Sequence, residues 1–279
     1  MYYPTGFDTK KAIEIGNLVK QAYQQFQFYK NNLEWTLPVD YDLVSVIAYD
    51  RWQLGFDATE ETGPTLIDKE MAQEKPDELV ESFAPGDKPK EYPMGFIATS
   101  KNGKNAYLIF RGTVTPQEFV KDAKIKMQPY MISNWGNVAL GFFEVYMACR
   151  DSFIKALGSL PADLNLFIGG HSLGAALSVL ALPDVAKVTH FKKPVLYNFG
   201  CPRVGDNTFV TAYNGQKGQK TYRVANSSDL VTSIPLPVPM LLVPSGYYSH
   251  VDTPVDMNIQ KDDIGVNHSM DTYVTALGG

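Results

Sequence analysis

A continuous apolar segment that enters a glycine-rich turn and leaves as a helix of small residues is the feature that most constrains the fold of this chain. Residues 164–170 read LNLFIGG, which is typical of a strand buried on both faces. Residues 172–182 read SLGAALSVLAL and favour a helix, which we expect to stop at Pro183 because proline interrupts helical hydrogen bonding. A strand, a sharp turn and a helix in this order form the unit from which parallel sheets are built.

Further segments alternate between helix-like and strand-like patterns. Apolar residues recur at helical spacing in two segments, which are predicted to be amphipathic helices, 9–30 and 141–158. Other segments are short, apolar and rich in β-branched or aromatic residues, and are predicted to be strands: 42–49, 95–100, 106–112, 194–200 and 220–226. The turn sequence KNGKN between the second and third of these predicts a hairpin. The alternation predicts an α/β fold with a mostly parallel central sheet flanked by helices.

The length and composition predict a single domain over residues 1–279, since an α/β enzyme of this size is usually one domain. Residues 57–92 are polar, mostly acidic and interrupted by Gly and Pro, so we interpret them as a surface excursion. Cys149 and Cys201 are expected to be free, buried thiols. No spacing of Cys and His indicates a metal site, and we expect neither a metal nor a cofactor.

The net charge and the apolar runs restrict the partners. A net charge of −5 argues against nucleic acid, which requires a basic surface. The sequence has no run of 18 or more apolar residues, so it predicts no transmembrane helix. It also lacks a basic start followed by an apolar stretch, so it predicts no signal peptide. We therefore expect a cytoplasmic protein if Met1 is the native start, and a secreted one if a leader was removed.

The turn between the predicted strand and helix carries a candidate nucleophile. Gly170-His171-Ser172-Leu173-Gly174 fits the G-x-S-x-G pattern, in which a strained turn presents the serine above a sheet. Larger residues at Gly170 and Gly174 would collide with the neighbouring strand and helix. The N–H of Leu173 is expected to stabilise an oxyanion, because the first N–H groups of a helix lack partners. The alternative is a glycine-rich turn that contains a serine by chance, which the flanking strand and helix disfavour.

A serine nucleophile needs a general base, and in this type of fold the chain order is serine, acid, histidine. The chain contains His171, His190, His250 and His268. His171 adjoins the serine and is expected to point elsewhere, and His190 comes too early in the chain. His268, in a loop that opens a terminal helix, is favoured over His250, which lies in a strand-like stretch and suits a packed structural role.

The acid that orients this histidine is predicted to be Asp229, which follows the strand 220–226 and so lies at the carboxyl end of the sheet. Asp206 is the rival, but Arg203 offers it a structural salt bridge. The other candidates after the serine are interpreted as solvated surface charges: Asp252, Asp256, Asp262, Asp263 and Asp271.

These segments together resemble the class 3 lipases, a family that includes fungal triacylglycerol lipases and plant and cyanobacterial relatives. The matching segments occur in the family's order and span roughly residues 94–279: FRGT (110–113), VALGFFEVY (138–146), GGHSLGAALS (169–178), FGCPRVGD (199–206), NSSDLVTSIP (226–235) and NHSMDTY (267–273). The resemblance implies an α/β-hydrolase fold, with Asp229 as acid and His268 as base. It also implies that Thr113, after FRG, supplies an oxyanion-hole N–H and often its hydroxyl.

In such a family, the segment after the oxyanion residue forms a substrate lid, here 114–126. It is mostly polar, with few apolar residues: Val114, Phe119, Val120, Ala123 and Ile125. A lid with so small an apolar face predicts weak dependence on a lipid surface. The apolar, proline-rich stretch 234–244 either lines an acyl channel or covers the core as a stiff loop.

The sequence thus predicts a carboxylic-ester hydrolase of lipase type, acting on acylglycerols or related fatty-acyl esters through an acyl-enzyme. The expected partners are a lipid or small ester substrate and a transient lipid interface. An alternative keeps the same residues and changes the substrate, as in a phospholipase A1, a galactolipase or a feruloyl-type aryl esterase. A non-catalytic binding protein of the same fold is a remote alternative, since such proteins usually lack a triad member.

Overall fold

The computed structural model of this chain describes residues 3–50, 91–112, 126–235 and 247–279. Residues 57–90 of the predicted acidic excursion, residue Thr113 and residues 114–125 of the predicted lid lie outside the described residues.

The N-terminal helix α1 (Thr9–Lys30) begins where Asp8 caps it, with a carboxylate oxygen accepting the N–H of Lys11 at 3.1 Å. Its apolar residues recur every three to four positions, and the face that they form is buried: Ala12, Ile15, Leu18, Val19, Ala22 and Phe26. The helix predicted from the periodicity of residues 9–30 is confirmed with the same bounds.

Strands and helices follow along the described chain much as the apolar patterns predict. The strands are β1 (Tyr41–Asp50), β2 (Glu91–Ser100), β3 (Asn105–Phe110), β4 (Met127–Pro129), β5 (Asn137–Ala139), β6 (Asn165–His171), β7 (Val195–Phe199), β8 (Gly205–Asp206), β9 (Lys220–Asn226), β10 (Tyr248–Ser249) and β11 (Pro254–Met257). The helices after α1 are α2 (Leu140–Gly158), α3 (Leu173–Val188), α4 (Asn207–Asn214), α5 (Ile264–His268) and α6 (Met270–Ala276).

The main sheet has the strand order β1-β2-β3-β6-β7-β9-β11. The predicted hairpin forms, since β2 pairs antiparallel with β3, and β1 adds antiparallel to β2. From β3 onward every neighbouring pair is parallel. The carboxyl ends of β3, β6, β7 and β9 therefore meet at one edge, where segments that are distant in the sequence can form a site. A smaller sheet has the order β10-β8-β5-β4.

Helices cover both faces of the main sheet. One face packs against α1 and α6 through a cluster that includes Ile15, Tyr197 and Tyr273. The other face packs against α2 and α3 through a cluster that includes Leu177 and Leu196. Alternate residues of β7 thus enter opposite cores, and this burial on both faces explains why the parallel strands read as continuous apolar runs. The predicted mostly parallel sheet flanked by helices is confirmed.

The prediction that the helix after the serine stops at Pro183 is wrong, because α3 continues to Val188. Proline costs the helix one hydrogen bond, but every residue of α3 from Leu173 to Ala186 is buried, so packing outweighs that local cost. The turn after Pro183 is also held by Asp184, whose carboxylate accepts hydrogen bonds from Tyr146 at 2.5 Å and from Arg150 at 2.6 and 2.9 Å.

Two further observations concern the described residues. Cys149 and Cys201 are free and buried, as expected. None of the helices in the described ranges is long and apolar enough to cross a membrane.

Candidate active site

The turn at Ser172 has the strained geometry that the glycine pattern predicts. Ser172 has φ 56° and ψ −124°, in a region that non-glycine residues rarely adopt, and it is fully buried between β6 and α3. A Cβ at position 170 would lie 2.1 Å from the carbonyl oxygen of Gly174, and one at position 174 would lie 2.3 Å from that of Arg111. The two glycines are therefore required by close backbone contacts on either side of the serine.

Two neighbouring strand ends hold the serine. The N–H of Ser172 donates to the carbonyl oxygen of Phe199, the last residue of β7, at 3.1 Å. Gly112, just beyond β3, passes so close that a Cβ there would lie 2.7 Å from the Cβ of Ser172. The serine is thus fixed at the carboxyl edge of the sheet.

The predicted acid and base form a buried hydrogen-bonded pair. Nδ1 of His268 lies 2.7 Å from Oδ2 of Asp229, and both side chains have no exposed surface. Oδ1 of Asp229 accepts the N–H of Val231 at 2.9 Å, and Oδ2 also accepts the hydroxyl of Tyr273 at 2.6 Å. These donors stabilise the carboxylate in the buried site. Because Nδ1 donates to a carboxylate, the neutral imidazole has its free lone pair on Nε2.

The end of β7 brings the pair to the serine. Gly200 directly follows Phe199, to which Ser172 is bonded, and a Cβ at Gly200 would lie 2.9 Å from both Asp229 Oδ2 and His268 Cε1. Among the described residues, Ser172 Oγ and His268 Nε2 are buried atoms without a hydrogen-bond partner. These two atoms belong to the predicted nucleophile and the predicted base, and catalytic hydrogen bonds often tighten only once substrate is bound.

Of the two predicted oxyanion donors, the structure describes one. Leu173 is the first residue of α3, so its N–H has no acceptor within the helix and lies next to the serine. Thr113 lies outside the described residues, but the preceding Gly112 is adjacent to Ser172.

His171 has a larger part in this site than the sequence indicated. Its ring lies against that of His268, with centroids 4.4 Å apart. Nε2 of His171 lies 2.6 Å from the carbonyl oxygen of His268, and Nδ1 lies 2.7 Å from the hydroxyl of Tyr23. Burial, and secondarily the neighbouring His268, hold the pKa of His171 well below its usual value. His171 is therefore a neutral structural partner of the predicted base.

Arg111 is a second residue that sequence reasoning missed, although it belongs to the FRGT segment. Its guanidinium is buried, lies 3.7 Å from the ring centroid of Phe26, and donates to the carbonyl oxygens of Pro93 at 2.7 Å and Gly112 at 2.8 Å. These contacts join α1, β2 and the end of β3. The motif letters could have indicated that Arg111 matters, but only the fold places it behind Gly112.

The rival residues lie elsewhere. His250 donates from Nε2 to the carbonyl oxygen of Thr232 at 2.7 Å, which fits the predicted structural role. Asp206 caps α4 by accepting the N–H of Phe209 at 2.8 Å. The expected salt bridge to Arg203 is wrong, because the Arg203 guanidinium donates instead to the carbonyl oxygens of Ser233 and Pro235, the latter at 2.7 Å.

The expectation for the remaining aspartates is confirmed, and the expected position of His268 in a loop is corrected. The remaining aspartates after the serine are exposed, as expected: Asp252, Asp256, Asp262, Asp263 and Asp271. His268, however, is not in a loop that opens a helix. It ends the short helix α5, and Ser269 then caps α6 by accepting the N–H of Thr272 at 3.2 Å.

Comparison with known proteins shows a family to which part of this chain is similar. Residues 107–238, which include both Ser172 and Asp229, match the family model of lipase (class 3). Over this part, the chain is similar to the class 3 lipases. His268 lies beyond the matched segment, so its place in the site rests on the structure.

Curated relatives of this chain include enzymes with different named substrates. A chloroplastic/mitochondrial phospholipase A1 of Oryza sativa subsp. indica is 26% identical, over 67% of this chain and 52% of its own length. A secreted mono- and diacylglycerol lipase A of Penicillium cyclopium is 30% identical, over 51% of this chain and 47% of its own length. The chain thus spans about half the length of the relatives that it matches.

Solved structures support the fold. A mono- and diacylglycerol lipase from Aspergillus oryzae is 25% identical with a TM-score of 0.52, covering 65% of this chain and 63% of that one. A lipase from Rhizopus microsporus var. chinensis has a TM-score of 0.59 over 90% of this chain and 75% of that one, at 22% identity. The class 3 lipase fold predicted from the sequence motifs, an α/β-hydrolase, is confirmed.

Proposed function

We propose that this protein is a serine hydrolase that cleaves carboxylic esters of fatty acids. The observation that carries the proposal is the buried Asp229–His268 pair, whose unpartnered Nε2 lies in the same buried edge of the sheet as the unpartnered hydroxyl of Ser172. An orienting carboxylate, a neutral imidazole and a serine in a strained strand-to-helix turn are the parts that acyl transfer requires.

The proposed reaction has two halves. In the first, Ser172 Oγ attacks the ester carbonyl while His268 Nε2 takes the hydroxyl proton, and the tetrahedral oxyanion is stabilised by the N–H groups of Leu173 and Thr113. Collapse breaks the bond to the alcohol, which leaves with the proton from His268. In the second half, water gives a proton to His268 and attacks the acyl-enzyme. The fatty acid is released, and the proton returns to Ser172.

The substrates that we propose are acylglycerols or related fatty-acyl esters. Three exposed apolar side chains support a transient contact with lipid: Leu230 is 47% exposed, Ile264 43% and Val266 45%. Leu230 directly follows Asp229, and Ile264 and Val266 lie on α5, the helix that ends at His268. An apolar surface beside the acid and base is suited to acyl chains approaching the serine.

The names of the relatives favour a second candidate with the same mechanism, a phospholipase A1 or a galactolipase. Fatty-acid release from monoacylglycerol, diacylglycerol, phosphatidylcholine and galactolipid, each dispersed in the same detergent, separates the two. Preference for the acylglycerols supports the main proposal. Preference for a phospholipid or galactolipid retains the mechanism and replaces the substrate.

The mechanism itself is tested with Ser172→Ala and a fluorophosphonate probe, which labels activated serines. The wild type should be labelled and should hydrolyse short nitrophenyl esters, whereas Ser172→Ala should be unlabelled and at least about 10⁴-fold slower. Ser178→Ala is the matched control, because Ser178 is buried in the same helix and donates only to the carbonyl oxygen of Ala175, at 2.6 Å. Labelling of Ser172→Ala equal to the wild type would remove Ser172 from the mechanism.

A further inference from the structure

A continuous series of hydrogen bonds passes through Tyr23 of helix α1 and joins the chain just beyond β3 to the end of the short helix α5. The N–H of Gly112 lies 3.0 Å from the hydroxyl oxygen of Tyr23, that hydroxyl lies 2.7 Å from Nδ1 of His171, and Nε2 of His171 lies 2.6 Å from the carbonyl oxygen of His268. Tyr23 is thus the one residue in this series that comes from outside the carboxyl edge of the sheet.

The direction of each hydrogen bond follows from the bond between Nε2 of His171 and the carbonyl oxygen of His268. A carbonyl oxygen only accepts, so Nε2 of His171 must carry a hydrogen. The depressed pKa of His171, caused by burial and by His268, keeps the ring neutral, so Nδ1 is the acceptor. Tyr23 must therefore donate its hydroxyl hydrogen to His171, and its oxygen is left to accept the N–H of Gly112. A single arrangement of hydrogens satisfies all three bonds.

The two ends of this series are Gly112 and His268, and both adjoin groups that the proposed reaction requires in fixed positions. Gly112 immediately precedes Thr113, and its carbonyl oxygen is held from the other side by Arg111 at 2.8 Å. Both polar atoms of the Gly112 backbone are therefore fixed by side chains. At the other end, the bond to the His268 carbonyl holds the backbone of the residue whose ring must face the serine.

Close packing makes this series rigid. A Cβ at Gly112 would lie 2.4 Å from the Tyr23 hydroxyl oxygen, so the strand end and the phenol are in tight contact. The rings of Tyr23 and His171 are also packed edge to face, with centroids 5.8 Å apart. A displacement of the phenol would therefore move both the Gly112 backbone and the His171 ring.

We propose that Tyr23 is a positioning residue for ester hydrolysis. Through Gly112 and His171, it sets the distance between the end of β3, which precedes Thr113, and the base His268. This inference rests on the proposed function, since it assigns a role within that site. Because the effect is on geometry that the transition state requires, loss of the hydroxyl lowers kcat and leaves KM largely unchanged.

The test compares Tyr23→Phe with Tyr107→Phe on a dissolved short-chain nitrophenyl ester. Tyr107 lies on β3 and is fully buried, and its hydroxyl donates to Glu14 of α1 at 2.6 Å. Loss of the Tyr107 hydroxyl therefore loosens α1 at a point away from the site. We expect kcat to fall about 10-fold in Tyr23→Phe and less than about twofold in Tyr107→Phe. The inhibition constant of an alkyl boronic acid, which mimics the tetrahedral intermediate, should rise in Tyr23→Phe by about the same factor as kcat falls.

Three results would overturn the proposal. They are an unchanged kcat in Tyr23→Phe, a rise in KM without a fall in kcat, or an equal loss in Tyr107→Phe. Failure of the proposed function is distinguishable, because the wild type would then show no Ser172-dependent hydrolysis or fluorophosphonate labelling.

A second pair of variants applies if Tyr23→Phe does not fold. His171→Gln keeps an N–H donor for the His268 carbonyl, whereas His171→Phe removes every hydrogen bond of the ring. We expect kcat to decrease in the order wild type, His171→Gln, His171→Phe, with KM within about twofold throughout. Equal activity of the two variants would contradict a role for this hydrogen-bond series.

Discussion

Tyr273 donates its hydroxyl to Oδ2 of Asp229 at 2.6 Å, to the same carboxylate oxygen that His268 binds at 2.7 Å. The Tyr273 hydroxyl oxygen also accepts the N–H of Asn226 at 3.2 Å. Burial first, and Asp229 second, raise the pKa of Tyr273 well above its usual value, so the phenol remains protonated and donating. The terminal helix α6 thus contributes directly to the orientation of the acid.

We therefore predict that Tyr273→Phe destabilises the protein and slows the reaction. The change leaves a buried carboxylate with one donor fewer and a buried N–H without an acceptor, which should cost about 2 kcal/mol in the free energy of unfolding. kcat should fall a few-fold, because Asp229 keeps its bonds to His268 and Val231.

Urea unfolding and ester kinetics check this prediction, with Tyr213→Phe as the matched control. Tyr213 is buried and its hydroxyl bonds the neutral Thr221 at 2.8 Å, away from the site. The control should lose less stability and no activity. Equal losses of activity in both variants would show that the Asp229 contact has no special role.

The two candidate bases give opposite predictions. His268→Ala should be nearly inactive, on the order of 10⁴-fold below the wild type, because nothing else accepts the serine proton. His250→Ala should keep most of its turnover if it folds, since Nε2 of His250 is bonded to the Thr232 carbonyl. Steady-state kinetics on a nitrophenyl ester distinguish the two, and the reverse pattern would identify His250 as the base.

Thr113→Val separates the hydroxyl of this residue from its backbone N–H. If the hydroxyl donates to the oxyanion, kcat should drop by about 10²-fold with little change in KM. Thr99→Val, a change of the same size in β2, is the control for removing a threonine hydroxyl. An unchanged kcat in Thr113→Val would restrict the residue to a backbone contribution.

The polar composition of segment 114–126 predicts weak interfacial activation. If this segment covers the site, its few apolar residues would contribute little burial energy, at about 25 cal/mol per Å². Hydrolysis of C4 to C18 esters, measured below and above their solubility limits, should show activity on dissolved short-chain esters and at most a modest rise above the limit. Phe119→Ala should increase turnover of dissolved substrate if Phe119 keeps the segment closed, whereas Lys121→Ala should not. A sharp rise at the solubility limit, with almost no activity below it, would contradict the prediction.

Because His250 is buried, we predict that the free energy of unfolding decreases in acid. Burial, followed by the nearby Arg223, lowers the pKa of His250 to about 3. The unfolded chain, with a usual histidine pKa near 6.5, binds this proton more readily, so the stabilisation is present above about pH 6.5 and is lost as the pH falls toward 3. The slope for one such group is at most about 1.4 kcal/mol per pH unit.

The measurement compares urea unfolding of the wild type and His250→Gln at pH 7 and pH 5. The glutamine amide retains a donor for the Thr232 carbonyl but does not titrate. Its free energy of unfolding should therefore decrease less between the two pH values than that of the wild type. Equal decreases would show that His250 does not contribute.

Residue patterns alone predicted most elements of the fold. Burial on both faces makes a parallel strand a continuous apolar run, so β6, β7 and β9 could be recognised without a structure. The continuation of α3 past Pro183 could not be predicted. Local propensity opposes a helix there, and only the buried contacts of α3 with its neighbours outweigh it.

The sequence by itself determined the candidate nucleophile, acid and base, because the serine lies in a recognisable turn motif, the aspartate follows a predicted strand, and the chain offers only four histidines. Only the tertiary structure decided that Tyr23, Arg111, His171 and Tyr273 support them. Tyr23 is 148 residues from His171 along the chain, and Tyr273 is 44 residues from Asp229. Helical periodicity predicts that residues 9–30 form a helix that contains Tyr23, but a hydrogen bond depends on where a hydroxyl and a ring nitrogen meet in space. That meeting is set by how α1 and α6 pack on the sheet, which no local pattern encodes.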